Sequence, residues 1–219
     1  MNHLKQENEL QYNPESYWGE RFKKVGLGFR GPGDWGLSNE KNEIAYQKAK
    51  KVFLDLCAQK QIDLIWTSVL EIGTGNGFYA QVLREANVGK YLGIDITDVL
   101  FDKIQTVLPG LNLMKLDIGE RRPPGRFDLV IMIDVTQHIT DNKKFSAAMQ
   151  NIRACLMPNG FLIITDALED RGLLTFHYRS RGMNAFTKEF KDDRIDKPIL
   201  FRDKYIFTIQ KKEKNVISK

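Results

Sequence analysis

Residues 69–78 read VLEIGTGNGF, an apolar run that ends in three glycines at alternate positions, Gly73, Gly75 and Gly77. The helical stretch FYAQVLREA begins at Phe78. A strand that turns straight into a helix needs backbone angles that residues with a Cβ rarely adopt, and a ligand across such a turn approaches the main chain closely. The stretch therefore predicts a strand–turn–helix unit with a ligand site at the carboxyl end of the strand.

The same alternation of strand and helix continues along the chain. The segments are SVLEI, FYAQVLREA, KYLGID, TDVLFDKIQTVL, LNLMKLD, FDLVIMID, a helix with Phe145, Met149, Ile152 and Leu156 on one face, and FLIITD. Near-continuous apolar strands separated by helices are typical of a mostly parallel sheet covered on both faces. Near the end, PILF and YIFTIQ are separated by only three residues, which predicts an antiparallel hairpin. We predict a doubly wound α/β fold with this hairpin at its C-terminal end.

An acidic residue stands where the second strand of this pattern ends. Asp95 closes the segment KYLGID, eighteen residues after Gly77. A carboxylate at that place can accept hydrogen bonds from both ribose hydroxyls of a nucleoside cofactor. A tight glycine turn with an unrelated surface acid is the alternative, and the strand context together with the placed acid favours the nucleoside site.

A nicotinamide cofactor binds to a similar turn, but the glycine spacing disfavours it. The third glycine of that fingerprint would fall at position 78, which is Phe78, and Gly77 comes one residue early. A second match at Gly26, Gly28 and Gly31 follows RFKKV, which is not a convincing strand. An NAD-dependent oxidoreductase stays the less favoured alternative.

The segment from Glu71 to Gly77 resembles the E/D-x-G-x-G-x-G motif of class I S-adenosylmethionine-dependent methyltransferases, and the N-terminal segment resembles that of small-molecule or glycan-type bacterial members. LMPNG at 156–160 resembles the family's Leu-x-Pro-Gly-Gly turn, with Asn159 in place of the first glycine. The resemblance runs roughly from Ser68 to Lys212. It implies a Rossmann-like sheet of seven strands, one of them antiparallel.

The resemblance also implies the cofactor, S-adenosyl-L-methionine, and the product S-adenosyl-L-homocysteine. The residues that it assigns to the cofactor are Glu71, Gly73, Thr74, Gly75, Gly77, Asp95, Ile96, Asp117, Ile118, Ile133 and Asp134. Within this set Asp95 holds the ribose, Asp117 contacts the adenine amino group between Ile96 and Ile118, and the end of the fourth strand approaches the methionine portion. No metal site is predicted, since Cys57 and Cys155 lack a ligand partner at metal-binding spacing.

His138 follows the fourth strand and is the candidate catalytic residue. An imidazole titrates near neutral pH, so it could take a proton from an acceptor hydroxyl. A histidine at this place in the family often only hydrogen-bonds nearby backbone, and that structural role stays open.

Two aromatic and basic segments are candidates for binding the methyl acceptor. The first precedes the core, where related enzymes carry a helix that closes over the cofactor, and it contains Tyr17, Trp18 and Arg21. The second lies between the fifth strand and the hairpin and contains His177, Tyr178 and Arg179. The alternatives are simple packing of the N-terminal segment onto the sheet and a surface helix at the second place.

The acceptor class follows mainly from motifs that are missing. Ile133-Asp134-Val135-Thr136 differs from the Asn/Asp-Pro-Pro-aromatic motif of enzymes that methylate exocyclic amines, and no Pro-Cys pair suits pyrimidine C5 chemistry. A net charge of +5 with scattered basic residues is mild for a nucleic-acid partner. We therefore predict O- or N-methylation of a small molecule or sugar, with an inactive cofactor-binding regulatory subunit as the alternative.

The chain is expected to comprise an N-terminal segment with cap helices over residues 1–60, the methyltransferase domain over 61–212 and a flexible tail over 213–219. No apolar run approaches the roughly 20 residues that a membrane-spanning helix needs, which predicts no membrane partner and a cytoplasmic location. The sequence pattern leaves the oligomeric state open.

Overall fold

The computed structural model describes residues 12–213, so the predicted tail lies outside the described residues except for Glu213. The helices are α1 Pro14–Val25, α2 Asn39–Gln59, α3 Phe78–Glu85, α4 Phe101–Val107, α5 Asn142–Cys155 and α6 Met183–Glu189, with 3₁₀ turns at Leu64–Trp66 and Thr136–His138. The strands are β1 Ser68–Ile72, β2 Lys90–Asp95, β3 Leu113–Lys115, β4 Phe127–Met132, β5 Leu156–Asp166, β6 Gly172–Thr175, β7 Tyr178–Ser180, β8 Arg194–Ile195, β9 Ile199–Phe201 and β10 Lys204–Gln210. None of the described helices has the length and apolar character that a membrane crossing requires.

The main sheet has the predicted doubly wound topology. Its strand order is β3-β2-β1-β4-β5-β10-β8, and the pairs from β3 to β5 are parallel. β10 pairs antiparallel with β5. β8 and β9 both pair with β10, so they share the seventh position, which is interrupted at residues 196–198. The predicted α/β fold, with one antiparallel strand among seven positions, is confirmed.

The C-terminal hairpin is tighter than its sequence suggested. Phe201 pairs with Lys204, which leaves a turn of two residues, Arg202 and Asp203. Arg202 has a positive φ of 57°, the backbone twist that two-residue hairpin turns need. The turn brings Arg202 and Lys204 to the edge of the sheet where the parallel strands end.

Apolar side chains alternate between the two faces of the sheet, and helices cover both. Leu70 and Ile72 pack on one face against α5 and α6, where Phe145 and Phe186 are buried. On the opposite face Val69 packs against α2 and α3, in a cluster that includes Phe53 and Leu83. α2 lies before residue 60 and yet covers one face, so the division at residue 60 remains a prediction.

The segment between β5 and α6 forms an antiparallel ribbon of β6 and β7 that stands apart from the main sheet. The alternative of a surface helix is therefore wrong for residues 172–180. Gly172 enters the ribbon with a φ of +69°, and it is followed by Thr175, Phe176 and Tyr178, which are residue types that favour strands. The ribbon turns at Phe176 and His177.

Candidate active site

A cavity opens where the parallel strands end, because their carboxyl ends meet at one edge of the sheet. Its wall contains eight of the residues that the sequence assigned to the cofactor: Gly73, Gly75, Asp95, Ile96, Asp117, Ile118, Ile133 and Asp134. They come from the ends of β1, β2 and β4 and from the loop after β3. This edge is where open α/β sheets bind their ligands.

The turn after β1 is formed by backbone that only glycine adopts without strain. Gly73, Gly75 and Gly77 have φ values of 79°, 54° and 83°. A Cβ on Gly73 would collide with the Val135 side chain, and one on Gly77 would lie 3.2 Å from Ile104. Gly73 and Gly75 therefore present backbone without side chains to the cavity, and Val135, which also lines it, packs against Gly73.

Asp95 is a buried carboxylate at the end of β2, with 7% of its surface exposed. It accepts hydrogen bonds from the backbone N–H groups of Gly75, at 2.9 Å, and Thr97, at 3.1 Å. Burial raises the pKa of Asp95 to about 6, although these hydrogen bonds act in the opposite direction. A carboxylate has about four acceptor positions, so Asp95 can still accept from ligand hydroxyls.

Asp117 lies at the other end of the cavity, paired with a lysine that the sequence did not single out. Lys144 on α5 is 2.5 Å from the Asp117 carboxylate. The other oxygen of Asp117 accepts from the Gly119 N–H at 2.8 Å. Burial acts to lower the pKa of Lys144, but the Asp117 and Glu120 carboxylates together outweigh it and the pKa is raised. Lys144 thus fixes the orientation of the acid.

Three predicted cofactor residues, Glu71, Thr74 and Gly77, lie outside the wall of this cavity. The Tyr91 hydroxyl donates to the buried Glu71 carboxyl at 2.6 Å, and burial raises the pKa of Glu71 to about 8. Thr74 donates from its hydroxyl to the Ile94 carbonyl at 3.3 Å. Glu71 and Thr74 thus hydrogen-bond to β2 instead of lining the cavity.

A second cavity shares part of its wall with the first. Trp18, Pro32, Asp134 and His138 line both. The acceptor candidates Tyr17, Arg21, His177 and Tyr178 line the second cavity, whereas Arg179 lines neither. The two segments that the sequence proposed for acceptor binding therefore meet, although they are about 160 residues apart.

His138 stands on the shared wall with a defined tautomer. Its Nδ1 lies 2.9 Å from the backbone carbonyl oxygen of His177. A carbonyl oxygen can only accept, so Nδ1 carries the hydrogen and Nε2 carries the lone pair. Burial lowers the pKa of His138 to about 3, which keeps the ring neutral at physiological pH. The neutral ring can accept a hydrogen bond at Nε2, where the Gln137 side-chain nitrogen lies 3.4 Å away.

A buried network holds the short helix that carries His138. The Thr136 hydroxyl donates to Asp166 at 2.6 Å. Arg181 is 4% exposed and donates to the carbonyl oxygens of Thr136, at 3.2 Å, and Ile139, at 2.6 Å. Because the Arg181 guanidinium bridges both ends of the turn, it fixes the direction of the imidazole. No local pattern links Asp166 or Arg181 to His138 in the sequence.

Asp134 also has an unusual backbone and two cationic partners. Its φ is 61°, which is rare for a residue other than glycine, and its N–H donates to the Thr165 hydroxyl at 2.8 Å. Its carboxylate forms ion pairs with Arg202 and with Lys204, the latter at 3.0 Å. Both cations come from the C-terminal hairpin, so the hairpin contributes to the wall between the cavities.

Aromatic contacts close the outer side of the site. α1 begins at Pro14, where the Asn13 side chain caps the first turn. The Tyr17 ring stacks on His177 at 4.8 Å, and the Trp18 ring meets the His138 ring edge-on at 4.8 Å. α1 and the β6–β7 ribbon thus meet over the cavities. Within residues 12–213 no cluster of three or more potential ligands is arranged for a metal ion.

Comparison with known proteins gives a family match over most of the chain. The family model described as "Methyltransferase domain" matches residues 37–197. A curated relative, the mitochondrial arginine-hydroxylase NDUFAF5 of Rattus norvegicus, is 30% identical over 95 residues, which are 43% of this chain and 27% of that protein. The chain thus matches about a quarter of the length of that relative.

Solved structures with the same fold have low sequence identity. Magnesium protoporphyrin IX methyltransferase from Synechocystis PCC 6803, with bound SAM, has a TM-score of 0.69 at 18% identity, covering 91% of this chain and 98% of that chain. N-methyltransferase NodS from Bradyrhizobium japonicum WM9, in complex with S-adenosyl-l-homocysteine, has a TM-score of 0.59 at 16% identity, covering 73% and 87%. Both likenesses concern the fold.

The contact between Gly73 and Val135 predicts a position-specific loss of stability. Gly73→Ala and Gly110→Ala both place a Cβ at a positive φ, 79° and 84°, but only position 73 has a neighbour in the way. We expect Gly73→Ala to lower the free energy of unfolding in urea by about 1–3 kcal/mol more than Gly110→Ala does. Adding Val135→Ala should recover part of the difference. Equal losses at both glycines would contradict the role of this contact.

Proposed function

The chain belongs to the methyltransferase-domain family, whose model matches residues 37–197, and on that premise we propose that it transfers the methyl group of S-adenosylmethionine to an oxygen or nitrogen of a small-molecule or sugar acceptor. One observation carries the proposal. The cavity with the cofactor residues and the cavity with the acceptor residues share a wall that contains His138. Donor and acceptor therefore have adjoining places, with a hydrogen-bond acceptor between them.

The residues of the first cavity fit S-adenosylmethionine. The bare backbone at Gly73 and Gly75 would lie against the methionine portion, and the buried Asp95 carboxylate would accept from the ribose hydroxyls. Ile96 and Ile118 supply apolar contacts for the adenine ring, and Asp117 supplies an acceptor for its amino group. Each chemical part of the cofactor has a matching partner in the wall.

When bound, the cofactor supplies a methyl group activated by a sulfonium: the acceptor lone pair forms the new bond to carbon as the carbon–sulfur bond breaks, and sulfur keeps that electron pair. The chain's own task is alignment and proton transfer. His138 offers its Nε2 lone pair to the acceptor hydroxyl or amine and takes the proton released. The Trp18 ring and the His177 ring, which lies at the turn of the ribbon, pack against the His138 ring and exclude water from it.

A small acceptor suits the enclosure of the second cavity. Tyr17 on α1 stacks directly on His177 of the ribbon, and Trp18 and Tyr178 also line this cavity. A cavity lined by these rings admits a compact molecule more readily than a folded macromolecule. The same aromatic rings and hydrogen-bonding groups would also suit the face and hydroxyls of a sugar.

Transfer is tested directly with methyl-labelled S-adenosylmethionine and a fractionated cell extract. We expect label in the small-molecule or glycan pool with the unchanged chain. Asp95→Asn should abolish it, because the hydrogen bonds that a carboxylate accepts from ligand hydroxyls contribute about 1.5–3 kcal/mol each. Asp98→Asn, which changes an acid whose side chain is 58% exposed, is the matched control and should keep the label.

Other outcomes of the labelling experiment point to other functions. Label in the protein or RNA pool would overturn the acceptor class. Tight binding of S-adenosylhomocysteine without label in any pool would favour the regulatory subunit. Absence of that binding, with enhanced NADH fluorescence, would favour the oxidoreductase and overturn the proposal.

The raised pKa of Asp95 predicts how cofactor affinity depends on pH. The ionised carboxylate accepts from the ribose, and protonation removes acceptor capacity, so affinity should fall as the pH drops below about 6. We expect S-adenosylhomocysteine to bind about tenfold more weakly at pH 5 than at pH 7.5, measured by calorimetry. In Asp95→Asn the affinity should be uniformly low, without this step. An unchanged affinity in the native chain down to pH 5 would refute the assignment.

Replacement of His138 tests its role in proton transfer. We expect His138→Ala to leave S-adenosylhomocysteine affinity within about twofold but to lower turnover by about 10²–10⁴. Since the folded-state pKa lies near 3, the native profile should lack the inflection near pH 6.5 that an exposed histidine gives. Unchanged turnover in His138→Ala would instead assign the histidine a structural role.

A further inference from the structure

We propose that the second cavity binds an acceptor with an anionic oxygen group, a carboxylate or a phosphate, held by Arg21, Arg202 and Lys204 beside His138. The inference rests on the proposed function, because it names the class of molecule that the methyl group reaches. It is carried by the distribution of charge in the cavity, by the hydrogen bonds of Arg21 and by the aromatic walls.

The charged side chains of the second cavity separate into an inner and an outer set. The inner set is buried or half-buried and comprises Arg21, Asp134, Arg202 and Lys204. The outer set is exposed and comprises Glu20, Lys24, Asp34 and Asp203. Three cations and one carboxylate give the inner set a net charge of +2, and one cation and three carboxylates give the outer set −2. Water and salt screen the exposed charges, so a ligand inside experiences mainly the inner set.

Arg21 is a cation without an acidic partner. Its Nη2 donates to the carbonyl oxygens of Gly33, at 2.6 Å, and Arg30, at 3.1 Å, and its Nη1 donates to the Tyr17 hydroxyl at 3.3 Å. These acceptors are neutral, and no carboxylate of the described residues forms an ion pair with it. Its buried Nε also lacks a hydrogen-bond partner in the described structure. Partly buried guanidinium groups usually have a counter-charge, and an anionic ligand would supply it.

Arg202 and Lys204 both depend on the Asp134 carboxylate, and Lys204 has a second, longer ion pair at 4.0 Å with the exposed Asp203. Both pair with Asp134, and their side chains are 18% and 10% exposed. The Nε of Arg202 is buried without a hydrogen-bond partner within residues 12–213. Burial lowers the pKa of Lys204, the Asp203 carboxylate acts in the opposite direction, and the neighbouring Arg202 guanidinium adds to the lowering. An anion at this place would relieve the repulsion between the two cations.

The rest of the acceptor would lie against aromatic surfaces. The Arg21 guanidinium sits 5.2 Å from the Trp18 ring centre and 5.3 Å from the Trp35 ring centre. A guanidinium held on aromatic faces donates from its edge, and in Arg21 the Nε–H and one hydrogen on Nη1 have no acceptor among the described residues and remain for an oxygen anion. Trp18 also lies on the shared wall, so a flat molecule stacked there stays close to His138.

The three carboxylates of the outer set argue against a long polyanion as the acceptor. A nucleic acid would have to place phosphates beside Glu20, Asp34 and Asp203, and the like charges would repel it. A compact molecule with one anionic group passes the outer set and reaches the cations of the inner set. The inner and outer sets together select an acceptor by its size as well as by the sign of its charge.

The test uses small fluorinated probes and the full chain saturated with S-adenosylhomocysteine. Binding of 4-fluorobenzoate, 4-fluorophenyl phosphate and the neutral 4-fluorobenzamide is followed by ¹⁹F NMR. We expect at least one anion to bind at least about tenfold more tightly than the amide. Arg21→Gln and Lys204→Gln should each remove most of that preference. Lys23→Gln, an equal loss of charge on the exposed face of α1, is the matched control and should change the preference by less than about twofold.

The arms of the experiment separate the possible results. Preference for benzoate over the phosphate, or the reverse, identifies the anionic group. Equal binding of the anions and the amide, binding of no probe, or an equal effect of Lys23→Gln and Arg21→Gln would overturn the inference. S-adenosylhomocysteine affinity is measured on each sample by calorimetry. Its absence in the native chain would overturn the proposed function itself, whereas intact affinity without anion preference overturns the acceptor class alone.

Discussion

The close approach of Val135 to the backbone of Gly73 is the contact on which the rest of the site depends. It leaves no room for a Cβ at residue 73, and so it fixes the turn that exposes bare backbone to the first cavity. It also fixes Val135, which lies between Asp134 and the short helix that carries His138. This contact therefore links the glycine turn of the first cavity to the short helix that carries His138.

The sequence predicted the parts of this site that depend on local pattern. The strand before Gly73, the acid at Asp95 and the alternation that continues through the chain are short-range signals, and the sheet that they predict is present. Asp117 could be placed because it follows a strand in the expected order. In each case the residue's position along its own strand determines which edge of the sheet it reaches.

The parts that escaped prediction depend on contacts between distant segments. Lys144 reaches Asp117 only because α5 packs along the sheet, and Arg181 reaches the His138 helix from beyond the β6–β7 ribbon. The seventh strand position is split at residues 196–198, where Pro198 lacks the N–H that a continuous ladder would use. The periodicity of the sequence does not predict such contacts, because they join residues that are far apart along the chain. The charge excess of the second cavity belongs to this class too, since its cations come from both ends of the chain.

The hydrogen bond from His138 to the ribbon is made to a main-chain carbonyl, and this has an evolutionary consequence. Any residue at position 177 presents the same carbonyl oxygen, so its side chain is free to change with the molecule that the cavity receives. The length of the ribbon has no such freedom, because an insertion or deletion between Gly172 and Ser180 would displace the carbonyl from the imidazole. The fold thus separates what can diversify, the side chains that line the second cavity, from what must be inherited unchanged, the spacing of the backbone that orients the histidine.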